Sequence, residues 1–463
     1  MRRVFLTHIS RSVWIGLACG VVLAALAALV IFDVLRSEPH DRPRSDGDTE
    51  AVDPVNALDP VSVDTMRPLQ VRFASLTPPV SPEREKPWNV LMYAASDFEN
   101  AYRPLEEFAT CVYANEQINV LIFDDSYEHD ASILSSTCSG SLVDITPIRS
   151  LGETDTAEPA TLTDFLEYAQ HWFPAERTLL YVYGHGHGWW GACIDHTNGA
   201  FIDGTTTRDW LTPPEIQSAL RAVGGVDAIM FAAPCATSAL EFAYQLRDVV
   251  DLFVAAEELS DYTPWKLSVG PIAKAISANP SADAAALGPL TIGAIEFATQ
   301  ASIDLGNPLT SRWPTIAATL TAELTDVAHA LDRFAEALIR SLPSHAQAIA
   351  DARDRSEDFA FRELVDLCDF ALNCEAIPSV AEAARALTEA LDASVVAQVV
   401  NPDDHPDAHG LSVYFPWFGP NPSDDQFEVS FERAGSTYRE YGLDLLAETC
   451  WYDFLAAFFA ATQ

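Results

Sequence analysis

The sequence predicts an α/β protein with a mainly parallel sheet flanked by helices, preceded by an N-terminal transmembrane helix. From residue 88 onward, apolar β-branched runs alternate with stretches of helical spacing, a pattern typical of parallel strands joined by helices. Residues 36–87 are rich in Pro, Asp, Arg and Ser, which predicts a linker. Residues 13–32 carry no charge over twenty positions, which favours a membrane span. One large folded domain, residues 88–463, remains.

Six apolar runs within this domain have the length and composition of buried strands. A strand–helix–strand–helix–strand unit in the middle of the domain contains the third, fourth and fifth of these runs. The predicted strands cover residues 88–95, 118–125, 178–184, 226–235, 252–258 and 410–416.

The predicted helices lie mainly between these strands. One of them has a clear start, because Thr212 is a suitable N-cap residue and Pro213 suits the first helical position. The predicted helices cover residues near 101–114, then 161–173, 212–223, 238–249, 317–342, 380–391 and 451–461.

The N-terminus favours a signal anchor. Arg2, Arg3 and Arg11 precede the apolar run, and flanking positive charges keep that side of a membrane span in the cytoplasm. The prediction is therefore a cytoplasmic segment at residues 1–12, an anchor at 13–35 and an extracytoplasmic domain, periplasmic or extracellular. A cleaved signal peptide is the alternative, although the apolar run is longer than a usual signal-peptide core.

The net charge of −40 excludes nucleic acid as a partner, because a polyanion is repelled over most of such a surface. An acidic surface also keeps a protein soluble, and it attracts cationic substrates or calcium. The charge therefore excludes nucleic acid and leaves cationic substrates or calcium as candidate partners.

Cysteine usage is compatible with an oxidising compartment. Cys19 lies in the apolar run, and the other seven cysteines are an odd number, so at least one has no disulfide partner in a monomer. Cys368 with Cys374 and Cys111 with Cys138 are candidate pairs. Free buried cysteines are the alternative.

Two reactive side chains follow neighbouring predicted strands. His185 comes directly after the third strand, in "HGHGWWG", and Cys235 follows the fourth, in "AAPCATS". Functional groups of such sheets gather at the carboxyl ends of the strands, and right-handed crossovers make consecutive parallel strands neighbours. The spacing therefore predicts that the imidazole and the thiol lie close together. A neighbouring base and a helix N-terminus both favour the nucleophilic thiolate.

The same residues allow two other interpretations. Cys235 could be a buried structural cysteine or half of a disulfide. A zinc site would use residue types of the histidine loop, although their spacing matches no standard zinc pattern. The candidate zinc ligands are His185, His187, Cys193, Asp195 and His196.

Five segments of the sequence carry a common resemblance. They are "WNVLMYAASDFENA", "PATLTDFLEYAQHWFPAER", "HGHGW", "AAPCATSALEFAYQL" and "HGLSVYFP". Together they resemble the clostripain family of cysteine peptidases, which belongs to the caspase-like clan. Each segment is weak evidence alone, but their shared order and spacing from residue 88 to the C-terminus make the resemblance specific.

The resemblance implies a caspase-like fold and an endopeptidase that hydrolyses peptides or proteins through a Cys–His dyad and an acyl-enzyme. It makes Cys235 the nucleophile and His185 the general base and acid. The backbone amides of Gly186 and Cys235 would form the oxyanion hole. His187 occupies the family's variable position and is expected to be a loop residue. The chemistry requires no cofactor, although some members of the family use calcium.

The sequence departs from the family pattern just before the cysteine. Ala233 stands where the family usually carries an aspartate, which the resemblance makes a wall of the pocket for a basic P1 side chain. Glu257, Glu258 and Asp261, after the next strand, are the candidate substitutes. Family members are often cleaved between the histidine and cysteine strands, and Arg208 is the candidate processing site there.

Two hypotheses from other classes remain at this point. One is a catalytically silent caspase-fold module that uses its acidic face to bind a cationic partner, and Ala233 with Pro234 favours it. The other is a zinc-dependent hydrolase built on the histidine loop.

Overall fold

The computed structural model describes a sheet-centred domain and leaves the N-terminal segment out. The described residues are 70–96, 114–126, 129–139, 142–195, 201–202, 205–206, 209–232, 234–260, 262–304, 313–416 and 438–462.

The described strands are numbered in chain order. They are β1 Gln70–Phe73, β2 Lys86–Ser96, β3 Ile118–Ser126, β4 His129–Ser139, β5 Leu142–Gly152, β6 Ala175–Tyr183, β7 Ala192–Asp195, β8 Phe201–Ile202, β9 Thr205–Thr206, β10 Asp209–Leu211, β11 Val226–Phe231, β12 Val250–Ala256, β13 Ile316–Leu320, β14 Leu364–Asp366, β15 Val395–Val399 and β16 Ser412–Tyr414.

The described α-helices are numbered in the same way. They are α1 Pro159–Trp172, α2 Pro213–Ala222, α3 Leu240–Gln245, α4 Tyr262–Ala278, α5 Ala284–Asp304, α6 Leu324–Arg355, α7 Leu367–Cys374, α8 Ala381–Ser394, α9 Asp444–Glu448 and α10 Trp451–Thr462.

Ten of the described strands form one large mixed sheet, mostly parallel, in the order β1-β5-β4-β3-β2-β6-β11-β12-β13-β15, and the other six pair in three two-stranded sheets. Its five central strands, from β3 to β12 in this order, run parallel to one another. On one side, β4 and β5 continue antiparallel from β3, and on the other side β13 and β15 continue antiparallel from β12. The prediction of a mainly parallel sheet flanked by helices is confirmed.

Both faces of the sheet are buried, which explains why the central strands are almost continuously apolar. Along β2, Leu91 and Tyr93 pack into the core on one face, whereas Val90 and Met92 pack into the core on the other. Successive side chains of a strand point to opposite faces, so a strand covered on both sides needs apolar residues at every position.

The start of α2 is as predicted. The Thr212 hydroxyl accepts a hydrogen bond from the Glu215 N–H, and the Glu215 carboxylate accepts one from the Thr212 N–H at 2.9 Å. This capping box satisfies two backbone donors that the first helical turn leaves unpaired.

The helix predicted over residues 317–342 is wrong at its start. Residues Ile316–Leu320 form β13, which pairs antiparallel with β12, and the helix α6 begins at Leu324. A short apolar run does not distinguish strand from helix by periodicity, and here pairing with the sheet decides. The predicted strand at 410–416 shortens to β16, which pairs with β14 outside the large sheet.

The sheet extends into the stretch predicted to be a linker. β1 lies within residues 36–87 and pairs in parallel with β5, for example through Val71 and Val143. Val71 is half-buried there, so its packing against the sheet orders a segment whose composition is typical of a linker. The division into domains otherwise stays a prediction.

The described helices include none that is both long enough and apolar enough to cross a membrane. The predicted anchor at residues 13–35 lies outside the described residues, so it stays a prediction.

The candidate disulfide between Cys368 and Cys374 is wrong, because both are free thiols. They lie in the single helix α7, six positions apart, which separates their Cα atoms by about 9 Å along the axis. A disulfide needs Cα atoms less than about 7 Å apart. The other candidate pair includes Cys111, which lies outside the described residues.

Candidate active site

The carboxyl ends of β6 and β11 bring the histidine and cysteine loops to the same edge of the sheet. The two strands are parallel neighbours, with Val182 paired to Phe231. His185 follows Val182 by three residues and Cys235 follows Phe231 by four. The His185 side chain is exposed at this edge, and Cys235 is half-buried. The two loops therefore lie at the same edge of the sheet, and the closeness of the imidazole and the thiol stays a prediction.

The loop after β6 is held by a short antiparallel contact with the start of β7. The His185 carbonyl accepts a hydrogen bond from the Cys193 N–H at 2.9 Å, and the His187 N–H donates to the Gly191 carbonyl at 3.1 Å. These two bonds flank the bridge between Gly186 and Ala192. Between two residues paired in this way, the backbone groups of the central residue point away from the ladder. The Gly186 N–H accordingly has no acceptor among the residues the structure describes.

The two loops touch through their backbones. A Cβ placed on Gly186 would lie 2.5 Å from the Cβ of Pro234 and 2.8 Å from its carbonyl carbon. The Gly188 N–H also approaches the Cys235 carbonyl at 3.5 Å. Only glycine permits the first contact, which explains chemically why "HGHG" carries a glycine directly after His185.

The Cys235 thiol is held by the turn that follows β12. The Ser260 N–H donates a hydrogen bond to the Cys235 Sγ at 3.4 Å. Burial raises the pKa of the Cys235 thiol, the Ser260 N–H opposes this by lowering the pKa, and the negative charge of Glu258 raises it further. Helix α3 begins only at Leu240, so the helix N-terminus expected to favour the thiolate starts five residues beyond Cys235. The sequence did not indicate Ser260.

The residue after the cysteine has an unusual backbone conformation. Ala236 has φ +54°, a left-handed value that costs energy for a residue with a Cβ. Its N–H donates to the Glu258 carbonyl at 3.0 Å, and the Ser238 N–H donates to the Ala256 carbonyl at 2.8 Å. The end of β12 therefore holds the turn that presents Cys235.

The Glu258 carboxylate is already engaged by protein donors. Its Oε1 accepts a hydrogen bond from the Leu259 N–H at 2.6 Å, and its Oε2 accepts one from the Ala360 N–H at 2.8 Å. The Oε2 also lies 3.1 Å from His405 Nε2. Burial alone would raise the pKa of Glu258, but the hydrogen bonds from His405, Leu259 and Ala360 lower it overall. Glu258 is thus a charged carboxylate whose partners are supplied by the protein.

The side chain of His187, within the histidine loop, lies in an aromatic environment. Its ring centroid is 4.1 Å from that of Phe361 in edge contact, and its Nε2 is 3.9 Å from a carboxylate oxygen of the buried Glu363. The side chain is only 12% exposed, so His187 packs against the segment before β14.

A cluster of aromatic rings packs against the histidine loop. Trp189 stacks on Trp190 at 4.5 Å and meets Tyr438 at 4.7 Å. The Tyr441 hydroxyl donates to the Trp190 carbonyl. The buried Glu241 accepts a hydrogen bond from the Tyr438 hydroxyl at 2.6 Å. The C-terminal part of the chain therefore helps to fix the loop that carries His185.

Three of the candidate site residues lie outside the described residues, namely Ala233, Asp261 and Arg208. The structure does bring His185, Gly186, Cys235 and Glu258 to one edge of the sheet. Glu257 is buried and accepts a hydrogen bond from the Gly410 N–H at 2.9 Å. Ser260 and His405 belong to the same site, and neither carries a sequence motif.

The candidate zinc set does not assemble among the described residues. Within that part of the chain, no three ligand atoms of His185, His187, Cys193 and Asp195 come within 4.8 Å of one another. His196 lies outside it. The one grouping of this kind in the described chain, Asp332 with Glu336 and Cys450, involves α6 and the residue before α10.

The sequence matches the model of the Clostripain family over residues 92–401, more than half of the chain. No curated protein matches the chain significantly in sequence.

Solved structures of secreted or zymogen proteases share the fold. One is an X-ray structure of a secreted C11 cysteine protease from Bacteroides thetaiotaomicron in complex with an irreversible peptide inhibitor. The two chains are 16% identical, the TM-score is 0.54, and the match covers 80% of this chain and 99% of that one. Another is an inactive zymogen C11 protease from Parabacteroides distasonis, with 16% identity, a TM-score of 0.54, and coverage of 79% and 99%. At these identities the likeness establishes the fold.

Proposed function

The chain belongs to the clostripain family and is a cysteine-type endopeptidase, and on that premise we propose that Cys235 is its nucleophile and His185 its general base and acid. The observation that carries the proposal is the contact between the two loops, in which the backbone of Gly186 lies against Pro234. That contact supports a placement of His185 beside Cys235, because the two residues flank Gly186 and Pro234. A nucleophile and its base require this proximity.

In the proposed reaction, His185 accepts the proton of the Cys235 thiol as Sγ attacks the peptide carbonyl carbon. The tetrahedral intermediate collapses, the C–N bond breaks, and the leaving amine takes the proton from the imidazolium. Water then attacks the thioester with His185 again as base, which releases the acid product and restores the thiol.

The proposed oxyanion hole consists of the Gly186 and Cys235 N–H groups. The Gly186 N–H points away from the contact with β7 and has no acceptor in the described part of the chain, so it is available to a substrate oxygen. A donor fixed in this way stabilises the oxyanion without reorganising during the reaction.

For basic P1 specificity we assign the recognition of the substrate cation to Asp261. Of the two alternative carboxylates, Glu257 is buried, and Glu258 already receives two backbone N–H groups and the His405 ring. A substrate guanidinium would have to displace these donors, which makes Glu258 a poor partner for it.

Calcium enters no step of the proposed reaction. Calcium takes several oxygen ligands. In the described part of the chain, the one converging group of three side-chain ligand atoms from His, Cys, Asp or Glu includes the thiol of Cys450, which does not fit calcium. We further propose that residues 13–35 anchor the catalytic domain outside the cytosol.

Labelling with an electrophilic peptide probe tests the nucleophile directly. A peptide chloromethyl ketone should alkylate Cys235, as located by mass spectrometry, and prior alkylation should abolish peptide hydrolysis. A folded chain that is not labelled at Cys235 would instead favour the catalytically silent binding module.

A further inference from the structure

His405 joins three segments of the chain beside the cysteine loop. Its Nε2 lies 3.1 Å from the Glu258 Oε2, and its Nδ1 lies 3.0 Å from the Glu357 Oε1. Glu258 follows β12, Glu357 follows helix α6, and His405 lies between β15 and β16. The three side chains are largely buried, with exposures of 20%, 14% and 15% respectively.

The geometry requires His405 to be an imidazolium. Each ring nitrogen faces a carboxylate oxygen within hydrogen-bond distance, and an ionised carboxylate only accepts. A neutral imidazole has only one N–H, so the lone pair of its other nitrogen would point at a carboxylate oxygen and be repelled by it. In agreement, the hydrogen bonds with Glu258 and Glu357 raise the pKa of His405 to about 9.

Glu258, which is in contact with His405, also holds the cysteine turn through its backbone. The Glu258 carbonyl accepts the Ala236 N–H at 3.0 Å. Two residues further on, the Ser260 N–H reaches the Cys235 Sγ at 3.4 Å. A displacement of Glu258 would therefore move both of the contacts that position Cys235 from the β12 side.

Glu258 also acts on Cys235 through its charge. A carboxylate near a thiol disfavours the thiolate, and the charge of Glu258 raises the pKa of the Cys235 thiol. A cation in contact with Glu258 opposes this effect. His405 supplies that cation at 3.1 Å.

We propose that His405 is a positioning residue for Cys235: as an imidazolium it fixes the turn from Glu258 to Ser260 and offsets the Glu258 charge beside the thiol. The proposal rests on the proposed role of Cys235 as nucleophile. It assigns no contact with substrate to His405.

Other ionisable groups lie on the elements packed around His405 and belong to the same electrostatic environment. They are Glu257 at the end of β12, Asp358 beside Glu357, Asp366 and Asp369 at the start of α7, and Asp403, Asp404, Asp407 and His409 on the loop of His405 itself. This excess of carboxylates favours the cationic form of His405.

The test is the pH dependence of Cys235 alkylation in the full chain, purified in detergent. Iodoacetamide is the probe, and the modified Cys235 peptide is quantified by mass spectrometry between pH 6 and pH 10. In His405→Gln the rate profile should shift to higher pH, and the rate at pH 7.5 should fall several-fold, because Glu258 is no longer neutralised. His405→Lys, which restores a cation, should recover part of the shift.

His329→Gln is the matched control, since His329 is exposed on α6 and the substitution is the same. It should give the profile of the unaltered chain. An unshifted profile in folded His405→Gln would overturn the proposal. If that variant fails to fold, Glu357→Gln replaces it: the imidazolium then keeps one carboxylate partner, so a smaller shift in the same direction is expected, and its absence is equally decisive.

Alkylation reports on the thiol without requiring peptide turnover, which separates this proposal from the proposed function. A Cys235→Ala chain that still hydrolyses peptides would refute the nucleophile. A shifted alkylation profile in His405→Gln would then still establish the coupling between His405 and the thiol.

Discussion

The backbone of Gly186 lies against Pro234 so closely that a single methyl group on Gly186 would come within 2.5 Å of the proline ring. This contact joins the ends of two neighbouring strands, one carrying His185 and the other Cys235. The separation of the two side chains therefore depends on the absence of a side chain at residue 186.

Gly186→Ala should lower kcat/KM for peptide hydrolysis by about 100-fold, because a shift of about 1 Å between reacting groups has that effect. Backbone atoms of Pro234 are among those in the way, so the strain cannot be relieved by a rotamer change alone. Peptide turnover is the measurement.

Gly293→Ala is the control, since a Cβ there meets no atom within 4 Å. This helical substitution should leave kcat/KM unchanged and stabilise the chain by up to about 1 kcal/mol. Equal activity of the two variants would contradict the role of the contact.

Cys235→Ala should abolish peptide hydrolysis, with a fall in kcat of about 10³-fold or more, because no other group supplies the attacking sulfur. The fold should persist, since the substitution removes only a half-buried sulfur atom. Turnover measured together with near-UV circular dichroism checks both expectations. Unchanged turnover in a folded variant would eliminate the dyad.

The stability of the chain should decrease as the pH rises above neutrality. Contacts with carboxylates raise the pKa of both His405 and His409 from the ordinary 6.5 to about 9. A histidine whose pKa is raised in the folded state contributes its full stabilisation below about pH 6.5. This contribution is lost as the pH rises through about 9. Urea midpoints measured from pH 6 to pH 10 should therefore fall less in His409→Gln than in the unaltered chain. Parallel curves for the two proteins would show that this histidine makes no such contribution.

Glu258→Gln and Asp261→Asn should affect P1 specificity differently. Because the Glu258 carboxylate is engaged by Leu259, Ala360 and His405, Glu258→Gln should change kcat/KM for Arg and Ala at P1 by the same factor. Asp261→Asn should selectively lower kcat/KM for Arg, since a charge-assisted contact contributes about 1.5–3 kcal/mol. A positional-scanning peptide library measures both. A selective loss of Arg cleavage in Glu258→Gln would reverse the assignment.

Arg208→Ala should leave the chain in one piece if maturation occurs by cleavage after Arg208. Electrophoresis under denaturing conditions, after incubation of the purified chain, is the measurement. Cys235→Ala is the companion variant, because it should also stay intact when the cleavage is autocatalytic. Two fragments from Arg208→Ala would place the processing site elsewhere.

Much of the site was predictable because its components are local. The apolar run before His185 and the run before Cys235 each identify a central strand, since a strand buried on both faces needs apolar residues throughout. Parallel neighbours must end at the same edge, so the juxtaposition of the two loops follows from the strand order. The capping box at Thr212 is similarly contained within four residues.

The edges of the sheet were less predictable than its centre. The residues of β13 are predicted to start a helix, because the run Ile316–Leu320 is apolar without a distinctive period. Its conformation depends on pairing with β12, which is about 65 residues away in the chain. The pairing of β1 with β5 likewise lies within a segment whose composition predicts a linker.

From its own pattern, the chain specified a sheet with a histidine and a cysteine after neighbouring strands, because burial and turn chemistry act over a few residues. Only the tertiary structure decided the surroundings of the thiol. It places the Ser260 N–H on the sulfur of Cys235, engages the Glu258 carboxylate with protein donors, and brings His405 to Glu258 as a counter-charge. Hydrogen bonds and ion pairs between distant segments have no period or motif in the sequence. They exist only once packing has brought the segments together.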